Sequence, residues 1–443
     1  MSVVRSLASR SAGQWLGMAA LLGGCQVATA ADLFSVTVAV GAQTGSAGFT
    51  TAQDVFDGLR DANLQALVPA YNGTVVASMR IDYRGLMMVA AFPIVGSPQL
   101  DLSIPGVGIA QNFVGATREE SRRLLRDYFK SGDALGRIMK ALAAASPVDP
   151  IAGNPASLQS HMVASSYSRH FRQLAGTLAG RSLGRAPSAQ AVPVDRPIWL
   201  AAAGNEGLGL GRPADDPAAR IDATAGLDAA RYVSAGLSSM VYSLPFSVPF
   251  ATGPDHPLSL DGELQHADTE GAKTYAGNLG LAYRWRLHDG WYLVPSASVG
   301  ASVARDLGAA GIIVSGALTN AYRLAEQADY VLWMGNAVNV LQTVKTTLGD
   351  YSFDPKLRNV AVTNGLVLSL TPSALLQNHW FEFSLADTRY TGSPGYDRRY
   401  DELGVALVRA RRSGGGPATM RAELNFLDTT HSKGWGVKFQ LGF

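Results

Sequence analysis

The sequence is poor in several features on which other protein classes depend. It contains one cysteine, Cys25, so it can form no internal disulfide. Charged residues make up only 16% of the 443 residues, and 37 basic against 35 acidic side chains leave a net charge of +2. Because the basic residues are dispersed along the chain and form no concentrated stripe, we expect no nucleic-acid partner.

The sequence also lacks a long apolar helix. Beyond the N-terminus, no continuous apolar run reaches the roughly 18 residues that a membrane-spanning helix needs. With 47% hydrophobic residues the chain can still bury a large core, and its length predicts two or three structural units. If the chain crosses a membrane, it must cross with strands.

Motifs for catalysis are missing as well. None of the seven histidines has a serine two residues later, which is the spacing of the His-x-Ser pair in outer-membrane phospholipases and deacylases. The single Gly-x-Ser-x-Gly match, Gly180-Arg-Ser-Leu-Gly184, follows the predicted helix over 157–180 and not a strand, so it does not have the strand-to-helix context of a nucleophile elbow. A His-x-x-x-His pair and metal-spaced cysteines are absent. The glycine-rich stretches 204–211 and 414–416 do not have the flanking residues of a phosphate loop. We therefore expect no enzymatic activity and no cofactor.

Residues 1–30 have the pattern of an export signal. Arginines precede an apolar stretch at 15–22, and Ala28-Thr29-Ala30 forms a cleavage site before Ala31. A second interpretation competes, because Leu22-Gly-Gly-Cys25 has the form of a lipoprotein box, in which Cys25 is lipidated. The sequence predicts export and leaves both processing routes open.

Residues 31–156 predict a small mixed α/β module. Thr117-Arg-Glu-Glu120 has the form of a capping box, in which the threonine hydroxyl accepts the third amide and Glu120 reaches back. The module ends at 146–155, where three prolines and a glycine prevent a helix or a strand ladder. The predicted elements are strands over 34–40, 74–83, 86–92 and 100–104, and helices that begin at Thr117 and cover 133–145.

Residues 157–230 predict a helix followed by a linker. Apolar side chains recur at three- and four-residue steps from Leu158 to Leu178, which predicts one amphipathic helix. The following stretch, rich in proline, alanine and glycine, predicts little regular structure beyond a short strand over 198–203.

Residues 231–443 alternate between apolar and polar side chains in one segment after another. In the last segment Trp435, Val437, Phe439, Leu441 and Phe443 share one face, and only Gly, Lys and Gln share the other. Side chains alternate across a strand, so this pattern predicts a closed β-barrel with lipid outside and water inside.

The charged residues of these segments predict which face lines the lumen. Arg284 and Arg286 share a face, and an arginine that faces the midplane of the bilayer costs about 2–4 kcal/mol. Asp261 and Glu263 likewise lie opposite the leucines of their segment. The arginine face is therefore expected to be the lumen or to lie near an interface, and we expect all four side chains to line a hydrated lumen as ordinary solvated groups.

The segments number about eleven, whereas a single-chain bacterial barrel has an even number of strands. The twelfth strand is expected at 198–203 or at 34–40, and the sequence leaves both open. Five tryptophans lie near segment ends, where an indole ring suits the membrane interface: Trp285, Trp291, Trp333, Trp380 and Trp435. His288-Asp289-Gly290 predicts a hairpin turn.

The end of the chain resembles the terminal assembly signal of bacterial outer-membrane barrels. Gly436 lies three residues before Phe439, Leu441 follows, and the chain ends on Phe443. Gly434 departs from the pattern, which usually has a polar residue there. With the preceding helix, residues 157–443 resemble the β-domain of autotransporters, and the whole chain resembles the solitary autotransporter-like barrels, which lack a long passenger.

This resemblance implies a monomer in the outer membrane of a Gram-negative bacterium, with lipid and the barrel-assembly machinery as partners. It also implies that the helix over 157–180 fills the pore. The leading hypothesis is therefore a non-enzymatic, plugged barrel with a periplasmic or lumen-docked N-terminal module. Two alternatives are a small-solute pore with a charged lumen, and a surface adhesin that displays loops 345–358 and 390–400.

Overall fold

The computed structural model describes residues 32–130, 133–183, 223–250, 257–371, 379–410 and 419–443. The expected export signal, with Cys25, lies outside the described residues. The glycine-rich stretches and the candidate strand at 198–203 also lie outside them. A mainly β fold, with a closed twelve-stranded barrel, an N-terminal α/β module and a helix before the barrel, is confirmed.

The N-terminal module is a six-stranded antiparallel sheet, in the order β2-β1-β3-β4-β5-β6, covered by helices. Alternate side chains of β1 are buried, from Phe34 to Val40, and pack against the helices. Its strands are β1 (Phe34–Val40), β2 (Gln43–Phe49), β3 (Ala77–Tyr83), β4 (Leu86–Phe92), β5 (Leu100–Ile104) and β6 (Ile109–Phe113). Its helices are α1 (Ala52–Gly58), α2 (Asp61–Leu67), a 3₁₀ turn (Pro105–Val107), α3 (Arg118–Lys130) and α4 (Asp133–Ala145).

Placement of β1 in this sheet corrects one prediction. The segment 34–40 was one of two candidates for the twelfth barrel strand, but among the described strands it pairs with β2 and β3 and with none of the barrel. The amide of Glu120 donates to the Thr117 hydroxyl at 3.2 Å, and the Glu120 carboxylate accepts the Ala116 amide at 2.8 Å, so the predicted cap at α3 forms.

The barrel is a closed antiparallel sheet of twelve strands. The first strand, β7, pairs with the last, β21, so that Leu227 lies opposite Phe439. A short strand, β11, follows β10 and also pairs with β12. The barrel strands are β7 (Thr224–Ser234), β8 (Leu237–Phe250), β9 (Leu258–Thr269), β10 (Ala272–Tyr283), β11 (Trp285–His288), β12 (Trp291–Ala304), β13 (Ala309–Glu326), β14 (Tyr330–Val344), β17 (Arg358–Leu370), β18 (His379–Gly392), β19 (Arg399–Ala410), β20 (Thr419–Thr429) and β21 (Ser432–Gly442). A hairpin of β15 (Thr346–Leu348) and β16 (Tyr351–Phe353) lies between β14 and β17.

The strand missing from the sequence-based count is β7. The pattern predicted a barrel from residue 231, but the chain turns at Ala235-Gly236, with φ of 49° and 83°, so a strand precedes this turn as well as following it. Positive φ at both central residues is the signature of a two-residue type I′ hairpin turn. The barrel therefore begins at Thr224.

The outer face of the barrel is apolar, as the alternation predicted. Trp435 and Val437 are each 47% exposed and Phe439 is 40% exposed, on the same face of β21. Leucines, valines and aromatic side chains of the other strands are exposed in the same way. The resulting surface is far more apolar than a monomer in water exposes.

The prediction of a membrane-interface position is wrong for two of the five tryptophans. Trp285, Trp291 and Trp435 are exposed on the outer face, but Trp333 and Trp380 are only 1% and 3% exposed. Both buried rings point into the barrel, where they pack against helical residues. The reason is that the lumen is filled and so offers an apolar environment of its own.

The module covers the barrel end opposite the chain terminus. The Ala52 amide donates to the Asp306 carbonyl at 2.7 Å, and the Tyr396 amide donates to the Ala143 carbonyl at 2.9 Å. The connecting segment 146–157 is almost wholly buried at this end. It has no helix or strand, as its prolines predicted, but it is packed and does not form an exposed linker.

Candidate functional site

The lumen of the barrel contains one continuous helical segment, which we name the lumen helix. It consists of α5 (Leu158–Tyr167), a π-helical turn (Ser168–Gln173) and α6 (Leu174–Leu183). At 1.5 Å per residue it is roughly 40 Å long, which exceeds the thickness of a bilayer core. Ser157 caps its start by accepting the Ser160 amide.

The lumen helix passes from the module end of the barrel to the end where the chain terminates. Near its start Gln159 accepts the Asn359 side-chain amide at 2.7 Å, and Asn359 begins β17 next to the module. Near its finish Gly180 lies against Trp380, which begins β18 at the opposite end. The helix therefore occupies the lumen from end to end.

Small residues bring the helix and the barrel wall into close contact. A Cβ added to Gly335 on β14 would lie 2.3 Å from the Phe171 ring. A Cβ added to Gly180 on the helix would lie 2.7 Å from the Trp380 ring. Because real Cβ atoms do not approach other atoms so closely, glycine is required on both surfaces for the present fit.

The π-helical turn directs four consecutive side chains into buried positions: Arg169, His170, Phe171 and Arg172. Turns of this type widen the helix and are frequent at functional sites. Two of these four side chains are arginines, so the turn places positive charge in the middle of the lumen.

Acidic groups of β9 face the basic side of the helix. His170 Nε2 lies 2.8 Å from a carboxylate oxygen of Asp261, and His161 Nδ1 lies 3.3 Å from Glu263. Between them Arg169 donates to the Gly262 carbonyl at 3.2 Å. The two carboxylates are 4% and 3% exposed, so they interact with the helix and scarcely with bulk water.

On another side of the helix, an ionic cluster joins it to the last strands of the barrel. Arg172 contacts Glu402 at 2.6 Å and Glu423 at 3.1 Å. Arg421 pairs with Glu423 at 3.0 Å and also with Glu382, and Lys438 lies 3.5 Å from Glu402. Removing one member of such a buried cluster leaves uncompensated charge, which is strongly destabilising.

A cavity of about 130 Å³ remains beside the lumen helix. Its charged lining includes Glu263, Glu402 and Glu423 together with Arg421 and Lys438. Since this lining offers both charge signs, the cavity suits water or a small polar solute. Among the described residues, no group of three histidine, cysteine or acidic side chains is placed to hold a metal ion.

Of the four residues expected to line the lumen, three line its interior and one lies at the rim of the barrel. Asp261 and Glu263 contact the lumen helix directly. Arg284 borders a smaller cavity, of about 60 Å³, together with Asp261. Arg286 pairs with Asp289 at 3.3 Å on the turn between β11 and β12, at the rim of the barrel.

The residues of the expected assembly signal lie on both faces of β21. Phe439 and Phe443 are exposed, at 40% and 59%. Gly436 lies next to the Asn425 side chain, where a Cβ would be 2.8 Å from the amide oxygen. Leu441 is half-buried.

Sequence reasoning missed the ionic cluster around Arg172. Three strands carry the other members of this cluster, which are Glu402, Arg421, Glu423 and Lys438. The available signal was their position in the alternating pattern, which places them on the inward face. The alternating pattern identifies a side chain that faces the lumen, but the partner on the helix is separated from these residues by more than two hundred residues.

Within the described part of the chain, no helix has the length and apolar character needed to cross a bilayer.

No family model matches the sequence, and no curated protein matches it. Several solved barrels are similar. The β-domain of the Bordetella autotransporter BrkA is 14% identical, with a TM-score of 0.40, and the match covers 50% of this chain and 98% of that chain. The translocator domain of NalP from Neisseria meningitidis is 13% identical, with a TM-score of 0.39, covering 50% and 87%.

The KdgM porin is 12% identical, with a TM-score of 0.32, and the match covers 49% of this chain and 99% of that chain. In each case the likeness extends over about half of this chain. The architecture of the chain itself, a closed antiparallel β-barrel of twelve strands, comes from its own strand pairing.

Proposed function

We propose that this protein is a non-enzymatic, autotransporter-like barrel of the outer membrane, and that the lumen helix closes its pore. The observation that carries this proposal is the continuous helix within the barrel, which is joined to the wall by the ionic cluster around Arg172 and by the contacts of His161 and His170 with Glu263 and Asp261. A helix that merely passed through a wide pore would not need glycines on both surfaces or buried polar contacts on two sides.

The apolar outer face supports insertion into a membrane. Only a helix or a closed barrel satisfies its backbone groups in lipid, and this barrel is closed. We infer export through the N-terminal signal, insertion by the barrel-assembly machinery, and a monomer surrounded by the lipid of a Gram-negative outer membrane.

Conductance in planar bilayers tests the closed pore. The intact protein is expected to pass little current, and deletion of residues 158–180 is expected to raise the current strongly because the lumen is then hydrated throughout. Deletion of the hairpin 346–353 is the control, since it removes chain at the rim and leaves the helix. Equal currents before and after removal of the helix would refute the proposal.

The charged cavity beside the helix favours one alternative, a small-solute pore. If the cavity of about 130 Å³ belongs to a permeation path, the intact protein conducts, and its ion selectivity responds to Glu263→Gln. If the intact protein passes no current, this alternative is rejected.

The adhesin hypothesis remains a prediction. The loops that it requires, 345–358 and 390–400, lie at the module end of the barrel.

We also infer that the module faces the outside of the cell. The assembly signal on the last strand is recognised in the periplasm, so this strand ends on the periplasmic side of the membrane. The module lies at the opposite end of the barrel, which is therefore the external end. Asp350→Cys and Asp289→Cys test this inference, since the aspartate side chains are 82% and 62% exposed at opposite ends. A membrane-impermeant maleimide should label position 350 in intact cells and position 289 only after permeabilisation. The reverse result would place the module in the periplasm.

A further inference from the structure

The module contains a second cavity, of about 260 Å³, whose chemistry is unlike that of the lumen. One wall is the inner face of the sheet, including Ile81 and Met88, and the other is formed by α1, α3 and α4, including Phe129 and Ile138. The rim of the barrel closes its base at Ala309. Nearly every lining side chain is apolar.

A void of this size is unusual in a folded module. Protein interiors are packed as densely as organic crystals and contain few voids larger than one water molecule. An apolar cavity of roughly 150 Å³ stays dry and binds small hydrophobic molecules. The cavity in the module is larger and equally apolar, so it is suited to a hydrophobic ligand and unsuited to sugars, nucleotides or ions.

The mouth of the cavity indicates the polar end of that ligand. Arg305, on the turn between β12 and β13, lines the cavity and is exposed. Within the described ranges its side chain has no ion-pair partner, whereas Arg172 and Arg421 in the lumen are paired with carboxylates. Leu348 and Tyr351 are also exposed at this mouth, at 45% and 38%. A cation beside apolar side chains matches a carboxylate on an alkyl chain.

We propose that the module binds one fatty acid, with its alkyl chain in this cavity and its carboxylate at Arg305. The site is separate from the lumen helix, and the proposal holds whether or not the pore is closed. A free fatty acid is the committed ligand, because the described residues at the mouth offer one guanidinium, one neutral amide from Gln53 and one phenol hydroxyl from Tyr351, and no second cation for a phosphate group.

Radiolabelled laurate binding to the full chain in lipid nanodiscs, corrected for empty nanodiscs, tests the proposal. One laurate per chain is expected to bind, and palmitate, which is longer, is expected to bind more weakly. Ala90→Phe places a ring in the cavity and should abolish binding, because Ala90 is a buried lining residue. Circular dichroism and heat-modified gel migration show whether this variant folds.

Arg305→Gln keeps the proposal testable if the larger substitution disturbs folding. Laurate affinity should fall roughly fivefold in this variant, while the affinity for dodecanol, which has no charge, should not change. Arg80→Gln, an exposed arginine of the module outside the cavity, is the matched control and should bind laurate normally. Absence of laurate binding to the native chain overturns the proposal. Laurate affinity that is unchanged in Arg305→Gln, or in a folded Ala90→Phe, also overturns it.

Discussion

The outer and inner faces of the barrel are formed by the same strands, but their side chains have different surroundings. On β9, Leu264 faces outward and is 62% exposed, whereas its neighbour Glu263 faces inward and is 3% exposed. The outer side chain needs lipid, and the inner carboxylate needs the lumen helix. A shift of one residue along the strand thus separates an exposed apolar surface, which we propose is covered by lipid, from an inner surface that is covered by another part of the same chain.

This difference explains why the inner face contains so many buried charges. A water-filled barrel would leave its lumen acids solvated, but here the lumen helix removes them from bulk water and supplies basic partners. We therefore expect substitutions on the inner face to act through undocking of the helix, and substitutions on the outer face to act through insertion in lipid.

The largest effect is expected for Arg172→Gln on the inner face. It leaves Glu402 and Glu423 without their shared partner on the helix, and breaking a buried pair costs about 3–5 kcal/mol. Urea unfolding in lipid vesicles, together with channel conductance, should show lower stability and a raised current. Arg389→Gln, which breaks an exposed pair with Asp387, is the control and should cost only about 0–1 kcal/mol. Similar effects for both variants would mean that the inner pairs are solvated.

Leu264→Arg on the outer face is expected to come second. An arginine near the middle of a lipid-facing strand lowers the free energy of unfolding by about 2–4 kcal/mol, and the cost near the interface is about 0–1 kcal/mol. Leu287→Arg, near the barrel end, is therefore the matched comparison. Unfolding in vesicles measures both variants. Equal effects at the two depths would argue against a lipid belt, and unchanged conductance in both would agree with a helix that remains docked.

Gly335→Ala tests how closely the inner face of the barrel is packed compared with the outer face. Its new methyl group meets the Phe171 ring, and overpacking of this kind costs typically about 1–3 kcal/mol. Gly316, on the outer face of β13, has no atom within 4 Å of a built Cβ, so Gly316→Ala should be nearly neutral. Proteolysis of the lumen helix in detergent should increase only for Gly335→Ala. Equal protection in both variants would show that the helix does not press against β14.

The smallest effect is expected in the module, where Asp61 accepts hydrogen bonds from Tyr71 at 2.5 Å and from Arg122 at 2.8 Å. Burial raises the pKa of Asp61, but the hydrogen bonds and charge of Arg122, with help from Tyr71, outweigh it and lower the pKa below its ordinary value. The stabilisation is therefore complete above the ordinary aspartate pKa and is lost as the pH falls through the lowered value. Thermal unfolding of the native chain and Asp61→Asn should converge in acid. A constant difference at all pH values would contradict this assignment.

The sequence was sufficient to predict the barrel because lipid imposes a period of two on every outer face. It failed at β7, where Ala225 and Ala229 on the outward face are small and Ala230 shares the inward face with Asp228, so the alternation is weak. The short elements β2, α1 and α2 were also missed, because seven residues are too few for a clear hydrophobic period.

The contents of the lumen were predictable only in part. Apolar periodicity indicated a helix, and the resemblance to autotransporters implied where it lies. The contacts that hold the helix could not be read in the same way, since Arg172 and Glu423 meet only after the barrel closes. The inward position of Trp333 has the same origin, because its packing against the helix depends on a filled lumen.

Cross-linking of the helix to the barrel wall tests the central claim most directly. A Cβ at Gly335 lies beside the Phe171 ring, so cysteines at positions 171 and 335 have the short Cβ separation that a disulfide requires. In intact cells the Phe171→Cys, Gly335→Cys protein should form this disulfide under mild oxidation, detected by mass spectrometry of linked peptides. The control pair, Phe171→Cys with Gly316→Cys, should not form one, because residue 316 faces outward. An unlinked 171/335 pair in the membrane would contradict a helix-filled barrel.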